Sequence, residues 1–336
     1  MTWRPRAALR TAARSRLGRV AAVFLLVVGA AGGWWATAAD RTDYPRGETG
    51  FATGVPRGVY DRYGILLRTY LHDNLPGVEL RLDNSQGSVD NLDRVAAGRD
   101  SFAIATADAV ASYRGDGRDR IRAIARLYDD YLQLVVPADS PVQRTADLKG
   151  RRVGVGQSRS GVQLVTRRLL ASAGLDPDVD VSASMLGVGD AADQLRNGQL
   201  DAFFWSGGLP TNALTDLSER FPIRIVPLGD LAEAVQHVEG GGADAYRAAT
   251  IPADVYPKAH PAGTAVATLA VPNLLITRED VDSALVQRMT KAVIDSRDRI
   301  GSEVHAAQVV DLRTAVYTDP LPLHAGASAY YRSVKP

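Results

Sequence analysis

Residues 148–175 read LKGRRVGVGQSRSGVQLVTRRLLASAGL, and this stretch decides the fold class. A short strand at 152–155 runs into a glycine-rich turn and then into a helix at 161–173 that Gly174 closes. Strand, turn and helix in immediate succession are the unit from which α/β proteins are built. The alternation extends on both sides. Upstream, strands at 50–53, 78–82, 102–105, 121–127 and 131–136 accompany helices at 59–74 and 89–97. Downstream, strands at 201–205 and 223–227 and a long apolar stretch at 266–276 alternate with helices at 191–196, 212–219 and 280–299. This pattern predicts an α/β architecture with mainly parallel sheets.

The bulk numbers agree. The chain has 336 residues, room for two or three units of about 100–200 residues. Apolar residues make up 46% and charged residues 23%, which excludes a disordered or fibrous chain. Basic and acidic groups nearly cancel, 39 against 38. Six of the basic groups, Arg4, Arg6, Arg10, Arg14, Arg16 and Arg19, precede residue 20, so the body is acidic. Such a body lacks the basic stripe of a nucleic-acid binder. Cysteine is absent, which excludes disulfides, thiol nucleophiles and thiolate metal sites.

The six arginines are followed by an unbroken apolar run, VAAVFLLVVGAA, at 20–31, and then by Trp34, Trp35 and ATA at 36–38. Two readings of residues 1–39 stand side by side: a cleaved secretory signal and a retained membrane anchor. Either one exports the rest of the chain. Residues 40–49 read as a linker, and no later run is long and apolar enough to span a bilayer.

In open α/β sheets ligands sit beyond the carboxyl ends of strands, often against helix N-termini. Five turns here have that character: TGVPRGVY at 53–60, NSQGSVDN at 84–91, TAD at 106–108, GVGQSRSG at 154–161 and SGGLP at 206–210. Each offers backbone N–H groups and small hydroxyls at a helix start, which favours an anion. The glycines of the fourth turn lack dinucleotide-loop spacing. The five histidines, at 72, 237, 260, 305 and 324, show no metal-binding pattern. No serine sits in a GxSxG elbow. No catalytic residue, cofactor or metal is therefore expected.

Five segments in the same order resemble the TAXI family of solute receptors that serve TRAP transporters. They are GVYDRYG at 58–64, GSVDNLDRVAAGRDSFAIATADAV at 87–110, residues 148–175, DAFFWSGGLPTNALTDL at 201–217 and PLHAGASAYYR at 322–332. The resemblance implies a two-lobed, type II periplasmic-binding-protein-like fold. Each lobe would be a mixed sheet flanked by helices, joined by two crossover strands at 131–136 and 266–276. Lobe one would comprise residues 45–135 plus 265–336, and lobe two residues 136–264. It implies an exported, monomeric receptor that closes on a small carboxylate or amino-acid-like solute and delivers it to TRAP-type permease subunits. A receptor for an ATP-driven importer or a sensor is the alternative, and an exported hydrolase a more distant one.

The candidate ligand-binding residues are Gly58, Tyr60, Ser88, Thr106, Asp108, Ser158, Arg159, Ser160, Gly161, Trp205, Gly207 and Gly208. Arg57, Arg62 and above all Arg159 are candidate clamps for a carboxylate. Asp108 has a second reading as a helix cap, and His324 is read as structural. Gly207 and Gly208 are expected to need positive φ. The family's pattern is not kept everywhere. Thr106-Ala107 stands where members show Gln-Ser, Ser160-Gly161-Val162-Gln163 where they show Ser-Gly-Thr-Glu, and Asp61-Arg62 where they show Tyr-Pro. The solute is therefore not carried over with the fold.

Overall fold

A computed structural model describes residues 47–56, 58–238 and 241–334. The expected signal or anchor at 1–39 lies outside the described residues, as do Arg57 and most of the expected linker. The first strand, β1, already begins at Gly47, inside that linker.

The ten strands are β1 (Gly47–Gly54), β2 (Val78–Asn84), β3 (Phe102–Thr106), β4 (Ile121–Pro137), β5 (Arg152–Gly154), β6 (Ser182–Ser184), β7 (Ala202–Gly207), β8 (Ile223–Val226), β9 (Arg247–Ile251) and β10 (Val266–Arg278). They follow the order β2-β1-β3-β10-β4-β7-β5-β6, with β8 against β4 and β9 against β10. The helices are α1 (Val59–Asn74), α2 (Ser88–Ala96), α3 (Ala107–Ser112), α4 (Gly161–Ser172), α5 (Val188–Arg196), α6 (Asn212–Arg220), α7 (Ser283–Asp295), α8 (Arg297–Gly301) and α9 (Ala325–Val334).

The expectation of mainly parallel sheets needs correction. β1 runs parallel to β2 and β3, and β5 runs parallel to β6 and β7. The centre is antiparallel: β10 opposes β3, β4 and β9, and β4 opposes β7 and β8. The two long strands are the reason. β4 pairs with β10 from Ile121 to Tyr131, then continues beside β7 and β8. β10 pairs with β9 before residue 270 and with β3 and β4 after it. Each strand therefore belongs to both halves of a two-lobed body, as the resemblance implies.

β4 is one strand where the sequence suggests two. Asp129 and Asp130 read as a break, but each is partnered within the strand. Asn273 of β10 donates to Asp130 at 2.7 Å, and Arg126 and Arg247 pair with Asp129. The helix expected at 280–299 is instead α7 and α8. Asp282 caps α7 by accepting from the Leu285 N–H at 2.8 Å, and the backbone flattens at fully buried Ser296, with ψ −2°.

Alternation along the strands explains the cores. Phe51, Ile104 and Leu275 enter one cluster with Tyr63 and Leu67 of α1 and Met289 of α7. Their neighbours Ala52, Ala103, Ala105, Leu274 and Ile276 face the opposite side, against Leu92 and Val95 of α2. In the second half, Leu134 and Phe204 pack with Leu169 of α4, while Val135 and Phe203 pack with Leu195 of α5. Successive strand residues point to opposite faces, so each half is a sheet covered by helices on both sides.

Candidate functional site

Residues from both halves line one cavity. Its walls come from the turns at the carboxyl ends of β1, β2, β3, β5 and β7. Of the candidate residues, Gly58, Tyr60, Ser88, Thr106, Ser160, Gly161, Trp205 and Gly207 line it. The starts of α1, α2, α4 and α5 all reach it, through Gly58, Gly87, Ser160 and Gly187. Ser160 caps α4, accepting from the Gln163 N–H at 3.0 Å. Gly58 and Gly187 provide no side-chain cap for α1 and α5. Those first-turn N–H groups carry the positive end of the helix dipole.

The close fit of the halves explains two glycines. A Cβ on Gly161 would stand 2.9 Å from the Ser88 hydroxyl oxygen and 3.2 Å from that of Thr106. A Cβ on Gly87 would stand 3.3 Å from the Ser160 backbone. The turns after β2 and β5 therefore meet edge to edge.

The floor of the cavity is a polar chain that the sequence reading missed. Ser88 and Tyr60 share a hydrogen bond of 3.2 Å between their hydroxyls. The Tyr60 hydroxyl donates to Asn273 Oδ1 at 2.5 Å, and Asn273 Nδ2 donates to Asp130 Oδ1 at 2.7 Å. Ser206 donates to the other Asp130 oxygen at 3.4 Å. Asp130 is only 4% exposed, yet it lines the cavity. Burial pushes its carboxyl up to about 7, with Asp129 and Asp108 adding to the rise and the Asn273 and Ser206 bonds opposing it. Burial likewise drives the Tyr60 phenol well above its ordinary value.

Four candidate residues lie away from the cavity wall. Ser158 is exposed. Arg159 is half-exposed and its guanidinium pairs with Asp93 of α2. Gly208 faces Ala306, whose Cβ would be 2.6 Å from a Cβ added there. Neither Gly207 nor Gly208 has positive φ. Gly207 instead leaves room for the Trp205 indole, whose Nε1 would be 2.5 Å from a Cβ added at Gly207.

Asp108 is buried in α3, and its Oδ2 accepts from the Tyr246 hydroxyl at 2.5 Å, so it does not cap the helix. The other Asp108 oxygen has no partner. Removing the Tyr246 hydroxyl would leave a buried carboxylate without this bond. Tyr246→Phe is expected to cost about 1.5–3 kcal/mol, the range for a hydrogen bond to a charged group. Urea unfolding checks this, and a change under about 0.5 kcal/mol would refute it.

Two of the three arginine clamps, Arg62 and Arg159, have carboxylate partners within the protein, while Arg57 lies outside the described residues. Arg62 pairs with Glu303 on the surface. Among the described residues, no Lys, Arg or His lines the cavity. These arginines find carboxylates on neighbouring elements that linear spacing does not reveal. His324 is structural, as expected: its Nδ1 accepts from the Gly326 N–H at 3.1 Å, and its Nε2 faces the Glu279 carbonyl at 3.2 Å.

Several solved structures are similar to this chain. One is the periplasmic aliphatic sulphonate-binding protein SsuA of Escherichia coli, at 15% identity over 87% of this chain and 84% of that one, with a TM-score of 0.45. Another is an ancestral arginine-binding protein bound to arginine, at 14% identity over 77% and 98%, with a TM-score of 0.47. A third is the substrate-binding protein of an amino acid ABC transporter, at 15% identity over 77% and 99%, with a TM-score of 0.44. The model of the NMT1-like family matches residues 51–334, a coarser assignment than the resemblance to TAXI receptors. With nearly the whole described body inside that match, the chain belongs to the NMT1-like family.

Proposed function

We propose that this protein is an extracytoplasmic solute receptor that closes on a small zwitterion and presents it to a membrane transporter, without bond chemistry. The observation that carries the reading is the composition of the cavity among the described residues: uncapped helix starts at Gly58 and Gly187, one buried carboxyl at Asp130, and no cationic side chain. Helix starts suit a carboxylate, and ionised Asp130 suits an ammonium group. The family resemblance of the five segments supports a receptor role. It also favours a TRAP-type permease as the partner. An ATP-driven importer is the second reading of the partner, matching the description of one structure similar in chain course.

Calorimetric titration with amino acids and their des-amino analogues tests the ligand reading. Amino acids should bind, and their affinity should fall as pH drops through about 7, because the Asp130 carboxyl gains its proton there. Tighter binding of the des-amino acids would overturn it. Uptake into vesicles holding the receptor and its permease separates the partners. Uptake driven by an ion gradient supports the TRAP-type reading, and uptake requiring ATP supports the other.

A further inference from the structure

Among the described residues, Arg159 is the one non-glycine residue with positive φ, at 64°. It sits in the turn before α4, in the second half, and its N–H donates to the side chain of Gln163 at 3.0 Å. This conformation turns its carbonyl toward α2 in the first half. The Val89 N–H donates to that oxygen at 3.1 Å and the Asp90 N–H at 3.3 Å. Both are first-turn amides of α2, whose N-cap residue, Gly87, supplies no side-chain cap. The Arg159 guanidinium meanwhile pairs with Asp93, farther along the same helix. One residue thus holds the opposite half twice, by backbone and by side chain.

We infer that Arg159 is a positioning residue that latches the two lobes together, its carbonyl capping α2 from across the cleft and its guanidinium holding Asp93. The role rests on the receptor reading above, since a latch matters where closure retains a solute. The left-handed backbone is unfavourable for any residue with a Cβ. Here two amide bonds and an ion pair, all made across the lobes, offset that cost. Opening the cleft breaks all three together, so the latch slows the escape of a bound solute and, by holding the empty cleft closed, its entry as well.

The absence of cysteine makes a direct test simple. Glu79→Cys and Val179→Cys place spin labels on exposed sites of the two halves. Distances are then measured without solute in the parent, Arg159→Gly and Arg159→Val. Glycine keeps the left-handed backbone and the carbonyl cap but loses the ion pair. Valine resists that backbone and loses both. The distance distribution should lengthen slightly for glycine and clearly for valine.

Stopped-flow binding of an amino acid retained in the titrations gives the second readout. Its dissociation should accelerate about two- to fivefold for Arg159→Gly, the size of a partly exposed ion pair. For Arg159→Val it should accelerate about tenfold or more, because a helix cap is also lost. Association should rise in the same order, glycine before valine, as a larger share of the empty protein stands open. Asp93→Asn should match Arg159→Gly, and the two changes combined should add nothing further. A folded Arg159→Val protein with the parent's distance distribution overturns the latch. If no amino acid binds, the ligand reading fails while the solute-free distances still decide the role of Arg159.

Discussion

At pH 8 the Asp130→Asn variant should be more stable than the parent, by on the order of 4 kcal/mol, while losing its affinity for an amino acid. The stability gain follows from burial. The carboxyl titrates at about 7 in the folded chain against an ordinary 3.8. Below about pH 4 both folded and unfolded chains hold the proton, and Asp130 carries no penalty. Between about 4 and 7 the unfolded chain has lost the proton and the folded chain keeps it, so stability declines as pH rises. Above that window the penalty is complete. Asparagine has no charge to bury, and its amide oxygen can still accept from Asn273. The difference between parent and variant, followed by urea unfolding at several pH values, should open through this window and then level off. A constant difference from pH 4 to 8 would show that Asp130 is not held protonated. Loss of binding with gain of stability would mark a group retained for its ligand at a cost to the fold.

Gly326→Leu is expected to destabilise by about 3 kcal/mol or more. Gly326 lies in the first turn of α9, where a Cβ would fall well inside van der Waals contact with the Ser283 carbonyl oxygen and 3.0 Å from the Gln287 N–H nitrogen of α7. Both obstacles are backbone, so neither can swing aside. The two helices would have to separate, opening the cluster that holds Met289, Ala327 and Tyr331. The urea midpoint should fall sharply for leucine and by less for Gly326→Ala. A leucine variant as stable as the parent would mean that α9 can shift without cost.

The strand–turn–helix rhythm was legible because it depends on neighbours in sequence. The start and end of α1 were read to the residue, and the glycine-rich turns led to Ser88, Thr106, Ser160 and Gly161. The polar floor was not legible. Asp130 and Asn273 stand 143 positions apart on strands whose antiparallel pairing gives no local signal. Asp129-Asp130 looked like a gap between strands because charged residues rarely sit in a buried one. The start of α3 was placed at 106–108, but its extent was not given, because six residues, half of them alanine, show no periodicity. The arginines misled because a side chain's partner depends on what the fold brings near. Arg159 was read as a clamp on ligand, whereas its guanidinium pairs with Asp93.

The central position of β10 sets a timetable for the newborn chain. β3 finds its antiparallel neighbour only in residues 273–277, paired with Thr106 through Phe102. A ribosome adding about 5–20 residues per second needs on the order of ten seconds to travel from one to the other. Throughout that interval the edge of β3 that will face β10 has no permanent partner. The first lobe therefore cannot close from its N-terminal segment alone, and a growing chain stays unlocked until its last quarter emerges. The same delay leaves that edge open to aggregation while the chain is incomplete.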